Sequence, residues 1–305
     1  MNRKLRSTIL ALVAVLVFFL AIWQIGALIN PNLQLDQTAL LRFVFVGIGL
    51  LIVLVIYFVT RSSNIWEVGT RQVVYMAIGA ALYAIFSYLF NGTVFVVPSV
   101  SQVALRPAIA IPMFFGFAFG PTVGFFTGAV GNMFGDALTG FGLSPQWSIG
   151  NGLVGMIAGM SMLFADKKKG INTVLIVSAV VAFLTTLLYV LNPTVENQLY
   201  FGEGEKTITA LAALSGLVGL VIVVVVRFVF GKNIDIAAAV TWAMLGNFLG
   251  LGFAAISDIW INGYNPSVAI VGEFLPAAGP NLIFAAILVP ILVAAYSALQ
   301  KQTGR

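Results

Sequence analysis

The sequence predicts an all-α polytopic membrane protein of about ten transmembrane helices, and three observations carry that prediction. Of the 305 residues, 60% are apolar and only 8% are charged. Soluble domains carry about 25% charged residues, so this chain cannot cover a water-facing surface, and a soluble enzyme is excluded. Apolar runs of about 20 residues, the length that crosses a bilayer core as a helix, recur along almost the whole chain. Finally, the basic residues collect in alternate connections between those runs. There is no Cys and no His, which removes disulfides, thiolate chemistry, the commonest zinc ligand and the commonest general base. Neither a metal site nor a cofactor is expected.

Hydropathy and helix breakers place spans near 8–29, 39–60, 71–90, 103–119, 121–139, 147–165, 171–192, 207–230, 236–259 and 272–299. The first has an apolar core longer than the 7–15 residues of a signal peptide and no small-residue cleavage site after it, so it reads as a retained helix. An Asn30-Pro31 loop joins it to the second span, and the polar segment Arg61–Thr70 sets that pair apart from the third. The long apolar stretch 103–139 is split at Gly120-Pro121, because proline disfavours helical geometry in the residue before it. It reads as a tight hairpin of two spans. Asn192-Pro193 ends the seventh span. The tenth begins at Glu273 and carries Pro276, Gly279 and Pro280, which predict a broken or kinked entry of a kind tolerated only where protein or a water-filled cavity surrounds it.

The positive-inside rule supports that count. With the N-terminus inside, Arg3, Lys4, Arg6, Arg61, Arg71, Lys167, Lys168, Lys169, Arg227, Lys232, Lys301 and Arg305 fall inside, 12 of the 15 basic residues. Arg42, Arg106 and Lys206 remain outside, beside Asp36, Glu196, Glu203 and Glu205. Reading 103–139 as one span would put Lys167 to Lys169 outside and weaken the asymmetry. Both termini are therefore expected in the cytoplasm of a prokaryotic cell. The net charge of +5 is a topology signal, and no nucleic-acid partner is expected; the lipid bilayer is.

Spans 1 and 2, and again spans 7 and 8, contain almost no polar residues. They read either as an accessory pair inserted twice or as a weak internal duplication. The rest of the chain holds nearly all the intramembrane Gly, Pro, Asn and acidic residues, so function is expected there. Gly116, Gly120, Gly124 and Gly128 recur every four residues, and Gly155–Gly159 and Gly246–Gly250 repeat the spacing, the small-residue pattern of close helix packing. In span 5 the same face continues to Asn132 and Asp136. An intramembrane carboxylate faces a partner or a cavity. Arg106, at the same outer depth, offers Asp136 a partner without excluding a site beside it. Span 6 opens with Gln146, Trp147 and Ser148, and the 148/151/155 spacing puts Asn151 on the Gly155 face. Asn247, Gly250, Ala254 and Asp258 share a face of span 9, while span 10 adds Glu273 and Asn281. Trp147, Trp260 and Tyr264 lie at similar depth and fit either an interfacial aromatic belt or a pocket that stacks a flat ring. A few polar groups suffice to orient a small heterocycle in an apolar pocket. No phosphate-binding loop occurs: Gly202-Glu203-Gly204-Glu205-Lys206-Thr207 has the wrong spacing, so the chain is not its own ATPase.

Four stretches in order carry a resemblance: Ala-Leu-Arg-Pro-Ala-Ile-Ala-Ile-Pro (104–112), Phe-Gly-Phe-Ala-Phe-Gly-Pro-Thr-Val-Gly (115–124), Gly-Asn-Met-Phe-Gly-Asp-Ala-Leu (131–138) and Asn-Gly-Leu-Val-Gly-Met-Ile-Ala-Gly (151–159). Gly-Pro-Asn-Leu-Ile (279–283) adds a fifth. With them, Arg71–Met160 resembles the substrate-binding S component of energy-coupling factor (ECF) vitamin transporters, particularly the riboflavin-type group. The resemblance implies a six-helix core of spans 3, 4, 5, 6, 9 and 10. The expected organisation is an accessory pair over 1–65, core helices over 66–166, an inserted pair over 167–234 and the last core helices over 235–305. It further implies no catalysis, capture of a vitamin from outside, and partnership with a transmembrane T component and two cytoplasmic ATPases. Ala77, Ala81 and Ala84 would supply the small-residue face that slides against the T component, or else pack within the chain.

The expected function is thus a substrate-binding membrane subunit of an ATP-dependent importer. Asp136, Asn151, Asp258 and Glu273 would orient the ligand, with Asn132, Asn247, Asn281 and Trp147 lining the site and Arg106 fixing Asp136. Riboflavin leads by resemblance, and a cationic heterocycle such as thiamine also suits three carboxylates. The rival is a stand-alone secondary transporter in which Asp136 or Glu273 carries a coupling proton; inverted repeats would support it.

Overall fold

The computed structural model describes residues 3–91, 96–97, 99–100, 103–140, 142–196 and 207–303. Glu203, Glu205, Lys206 and Arg305 of the charge argument lie outside the described residues. The described chain forms α1 (Arg3–Ile29), α2 (Ala39–Thr60), α3 (Thr70–Asn91), α4 (Ala110–Phe119), α5 (Pro121–Thr139), α6 (Pro145–Gly159), α7 (Lys167–Leu191), α8 (Ala210–Val229), α9 (Ile234–Ile261) and α10 (Leu275–Gln302). Local chemistry sets the helix starts. Pro121 and Pro145 open α5 and α6, where a missing N–H removes no helical bond. Asp166 caps α7 by accepting from the Lys168 and Lys169 N–H groups, and Thr209 and Asn233 cap α8 and α9 likewise. Gly120, at φ +106°, makes the turn between α4 and α5, a backbone conformation that favours glycine.

Two details depart from the hydropathy reading. Span 103–119 is helical only from Ala110: Val103–Ala104 pairs antiparallel with Val96–Val97, and a 3-10 turn covers Pro107–Ile109. Pro107 accounts for this, because it holds Arg106 outside helical geometry (φ −123°, ψ 76°). The irregular entry expected at Glu273 is a π-helical turn, Val268–Phe274, that runs directly into α10.

Among the described residues, seven helical segments are long and apolar enough to cross a membrane: α1, α2, α3, α7, α8, α9 and the continuous run Val268–Gln302. Helices α4 and α6 fall outside that set by length, at 10 and 15 residues, and α5 by its glycines, Asn132 and Asp136. Residues 121–133 and 148–159 are buried without a break. At the centre α5 lies on α6, with α3, α4 and α9 around them and α10 against α9 and α4. The polar-poor helices are peripheral: α1 packs on α5, α2 on α6, α7 on α9, and α8 on α10.

Glycine permits that centre. A Cβ on Gly116 or Gly124 would fall on the Gly155 carbonyl, one on Gly128 on the Asn151 carbonyl, and one on Gly246 on the Val154 carbonyl. Backbones of α4, α5, α6 and α9 therefore touch directly, as the four-residue spacing predicts.

The two ends of the bundle differ. Lys4 bonds to Ser63 and Asn64 of the α2–α3 connection, and Lys167 pairs with Asp235 across the α6–α7 and α8–α9 connections. Phe117, Ser161, Lys167 and Gln300 line one cavity of about 180 Å³ there, so both chain ends lie at this end. At the other, Asn30 sits beside Gly140, and the Val100 N–H donates to the Gly272 carbonyl at 2.9 Å.

Gly124→Val should lower stability by about 2 kcal/mol or more, since overpacking a filled contact forces the backbones apart. Gly47→Ala, where a Cβ meets nothing within 4 Å, should be neutral or slightly stabilising. Thermal unfolding in detergent distinguishes the two.

Candidate functional site

Two polar clusters occupy the end of the bundle opposite the termini. The first joins α3, α5, α6 and the segment before α4. Arg106 donates from Nη1 to Asn132 Oδ1 at 2.5 Å and from Nη2 to Asp136 Oδ1 at 3.3 Å. Asn132 Nδ2 donates to Asp136 Oδ2 at 2.9 Å and to Ser148 Oγ at 3.0 Å. Tyr83 donates its hydroxyl to Asn151 Oδ1 at 2.9 Å, and Asn151 Nδ2 donates to the Trp147 carbonyl at 2.9 Å. Asn132, Ser148, Asn151, Asp136 and Tyr83 are all buried. Desolvating a carboxylate and a guanidinium is costly; here each is offset by the other and by amides already held in place by packing.

The second cluster joins α6, α9 and the π turn. Asp258, 1% exposed, accepts from Gln146 Nε2 at 3.0 Å and from Trp147 Nε1 at 2.7 Å. Glu273, fully buried, lies beside the Asp258 carboxyl. Tyr264, in the connection between α9 and the π turn, has its phenol pushed up to about 12 by burial first and then by the Glu273 and Asp258 carboxylates. Trp147 links the clusters, its carbonyl serving Asn151 and its indole Asp258.

The remaining expected residues lie elsewhere. Asn247 is buried deeper on α9, where its Nδ2 donates to the Ala278 carbonyl at 2.8 Å and its Oδ1 has no partner among the described residues; it fastens α9 to α10. Asn281 is buried on α10 without a described hydrogen bond to either cluster. Trp260 is 59% exposed and packs on Phe45 at 5.7 Å between ring centroids, so it belongs to the bundle's outside. Ala77 and Ala81 lie on the exposed face of α3, whereas Ala84 is buried and faces inward; the inward position follows from its turning to the α5 side. Sequence reasoning passed over Tyr83, Gln146 and Ser148 as site residues. The Gln146-Trp147-Ser148 run at a helix start was the available signal for two of them. Among the described residues, no group of three His, Cys, Asp or Glu is gathered in a way that could hold a metal ion.

Arg106→Met would strand a buried carboxylate, and breaking a buried pair costs about 3–5 kcal/mol. The double variant Arg106→Met, Asp136→Leu should regain part of that loss. Unfolding temperatures of the single and double variants, measured in one detergent, check the difference.

Comparisons with known proteins find relatives over part of the chain. A UPF0397 protein of Vibrio atlanticus (strain LGP32) is 40% identical over 90 residues, 30% of this chain and 47% of its own. One from Aliivibrio salmonicida (strain LFI1238) is 34% identical over 102 residues, 33% of this chain and 54% of its own. One from Streptococcus pneumoniae serotype 19F (strain G54) is 32% identical over 104 residues, 34% and 53% respectively. The chain thus spans about half the length of the curated relatives it matches. No solved structure matches it. The family model of the ECF-type riboflavin transporter S component matches residues 67–235, more than half of the chain and all of α3 to α8. With that match laid over helices α3 to α6 and their buried polar cluster, the chain belongs to the ECF-type riboflavin transporter S-component family.

Proposed function

We propose that this protein captures a small heterocycle, riboflavin first among candidates, for an ECF-type ATP-dependent importer in the plasma membrane of a prokaryote. The observation that carries the reading is the pair of buried polar clusters joined at Trp147, at the end of the bundle away from most basic residues. By the positive-inside rule that end faces outward and both termini are cytoplasmic. Ligand contact would come from Trp147, Asn151, Asp258 and Glu273, with Asp136, Asn132 and Arg106 as a rigid wall beside them. Asn247 and Asn281 would form the deeper floor. A cationic ring such as that of thiamine is the second candidate, because Asp258 and Glu273 lie together. Asp136 is committed to Arg106 and Asn132, which counts against its carrying a coupling proton in a stand-alone transporter.

The domain reading follows packing. Helices α3, α4 and α9 pack directly on the enclosed α5–α6 pair and α10 on α9 and α4, whereas α7 and α8 pack on α9, α10 and each other. This supports a core of α3, α4, α5, α6, α9 and α10 with α7 and α8 as an inserted pair over 167–234, even though the family match itself runs through them and stops at residue 235. The pair over 1–65 lies against α5 and α6 and leaves the Ala77–Ala81 face of α3 exposed. That face suits a transmembrane T component, with two ATPase subunits beyond it.

Titrating the detergent-purified protein with riboflavin, without added cation or gradient, should give saturable quenching of tryptophan fluorescence. Asp258→Ala should weaken it more than about tenfold, the scale of a lost charge-assisted contact. No quenching by riboflavin, thiamine or other vitamins in folded protein would overturn the reading. Separately, Ala77→Leu with Ala81→Leu should abolish copurification with co-expressed T and ATPase subunits while leaving ligand binding intact.

A further inference from the structure

We infer that Arg42, on the N-terminal helix pair outside the six-helix core, is a positioning residue of the ligand site that fixes the orientation of Gln146 against Asp258. The inference rests on the proposed site in one respect only, that Asp258 meets the ligand.

Hydrogen bonds run outward from Arg42 in two directions, to a surface loop and to the site. Asp36 accepts from the Thr38 N–H at 2.8 Å and from its hydroxyl at 2.5 Å. Those bonds, the hydroxyl first, hold the Asp36 carboxyl below its ordinary range. Thr38 Oγ1 accepts from Arg42 Nε at 2.9 Å. Arg42 Nη1 then donates to Gln146 Oε1 at 3.4 Å, and Gln146 Nε2 donates to Asp258 Oδ1 at 3.0 Å. A primary amide has one acceptor side and one donor side. With a guanidinium on the oxygen, only the NH2 can face Asp258; rotating the amide by half a turn would set oxygen against carboxylate and NH2 against guanidinium. Gln146 is 1% exposed, so water cannot make up for either mismatch.

Arg42 is built for this place. Its side chain is 14% exposed, unlike a surface arginine that reaches out of an apolar helix to water. The helix bearing it docks closely: a Cβ on Gly49 would overlap Ile149 of α6, and Phe45 packs on Phe253 and Trp260 of α9. Its charge also reaches Asp258, adding a weak counter-charge to a carboxylate that otherwise meets the Gln146 amide and the Trp147 indole. Specificity then depends on a helix pair that a six-helix core lacks.

The test is a double-mutant cycle on Arg42→Met and Gln146→Met, with two readouts. One is the 19F spectrum of 5-fluorotryptophan-labelled protein without ligand, its five resonances assigned by Trp→Phe variants. The other is the riboflavin titration, repeated with thiamine. Each single change should shift the Trp147 resonance and lower affinity about tenfold, and the double variant should be no worse than Gln146→Met alone. Arg42→Lys should recover part of the loss. Multiplicative losses, or a Trp147 resonance that ignores Arg42→Met, would overturn the inference. If neither vitamin binds the unaltered protein, the substrate reading fails while the Trp147 resonance still decides the role of Arg42. Should Arg42→Met not fold, Thr38→Val removes the oxygen that steadies the guanidinium and is read the same way.

Discussion

The direct contact of the α5 and α6 backbones is the constraint on which the site depends. Gly124 meets Gly155, and Gly128 meets the Asn151 carbonyl, with no room for a Cβ at either glycine. Helices this close bring the next polar residues on the same faces, Asn132 and Asp136 on one side and Ser148 and Asn151 on the other, into a single volume. No water competes inside a bilayer, so every such group must be satisfied from within the protein. The outcome is a connected network with fixed donor and acceptor roles, which makes this part of the bundle rigid.

Around that network the helices divide the work by what they touch. Helices α1, α2, α3, α7 and α8 carry rows of exposed Leu, Ile, Val and Phe, the composition a hydrocarbon solvent requires. Helices α5, α6 and α9 touch protein nearly everywhere and can hold amides and acids. Helix α2 bridges the two classes: apolar along its length, it brings one charged group, Arg42, to the Gln146 amide. A peripheral helix thus reaches a polar side chain buried on α6.

Much of this was legible in the sequence, for reasons that can be named. The glycine period announces close packing whatever the partner helix, and Arg106 and Asp136 could be paired because both lie at the same depth. The turn at Gly120-Pro121 follows from proline sterics. Tyr83 was not legible as a partner of Asn151, because the spacing within α3 does not show which neighbouring helix its hydroxyl meets. Trp260 could have been placed outside, since two residues beyond Asp258 on a helix is roughly 200° around. Asn247 shares the Asp258 face but lies three turns away, about 16 Å at helical rise, so a shared face did not mean a shared site. The Arg42 relay depends on how α2 seats against α6, which spacing within either helix cannot reveal.

The location of bound ligand tests the account most directly. A crystal structure grown with riboflavin, or with whichever vitamin quenches the tryptophan signal, should contain the ring against Trp147 with its polar edge toward Asp258, Glu273 and Asn151. Ligand density at the end that holds the termini, or on the lipid-facing side of α7 and α8, would contradict it.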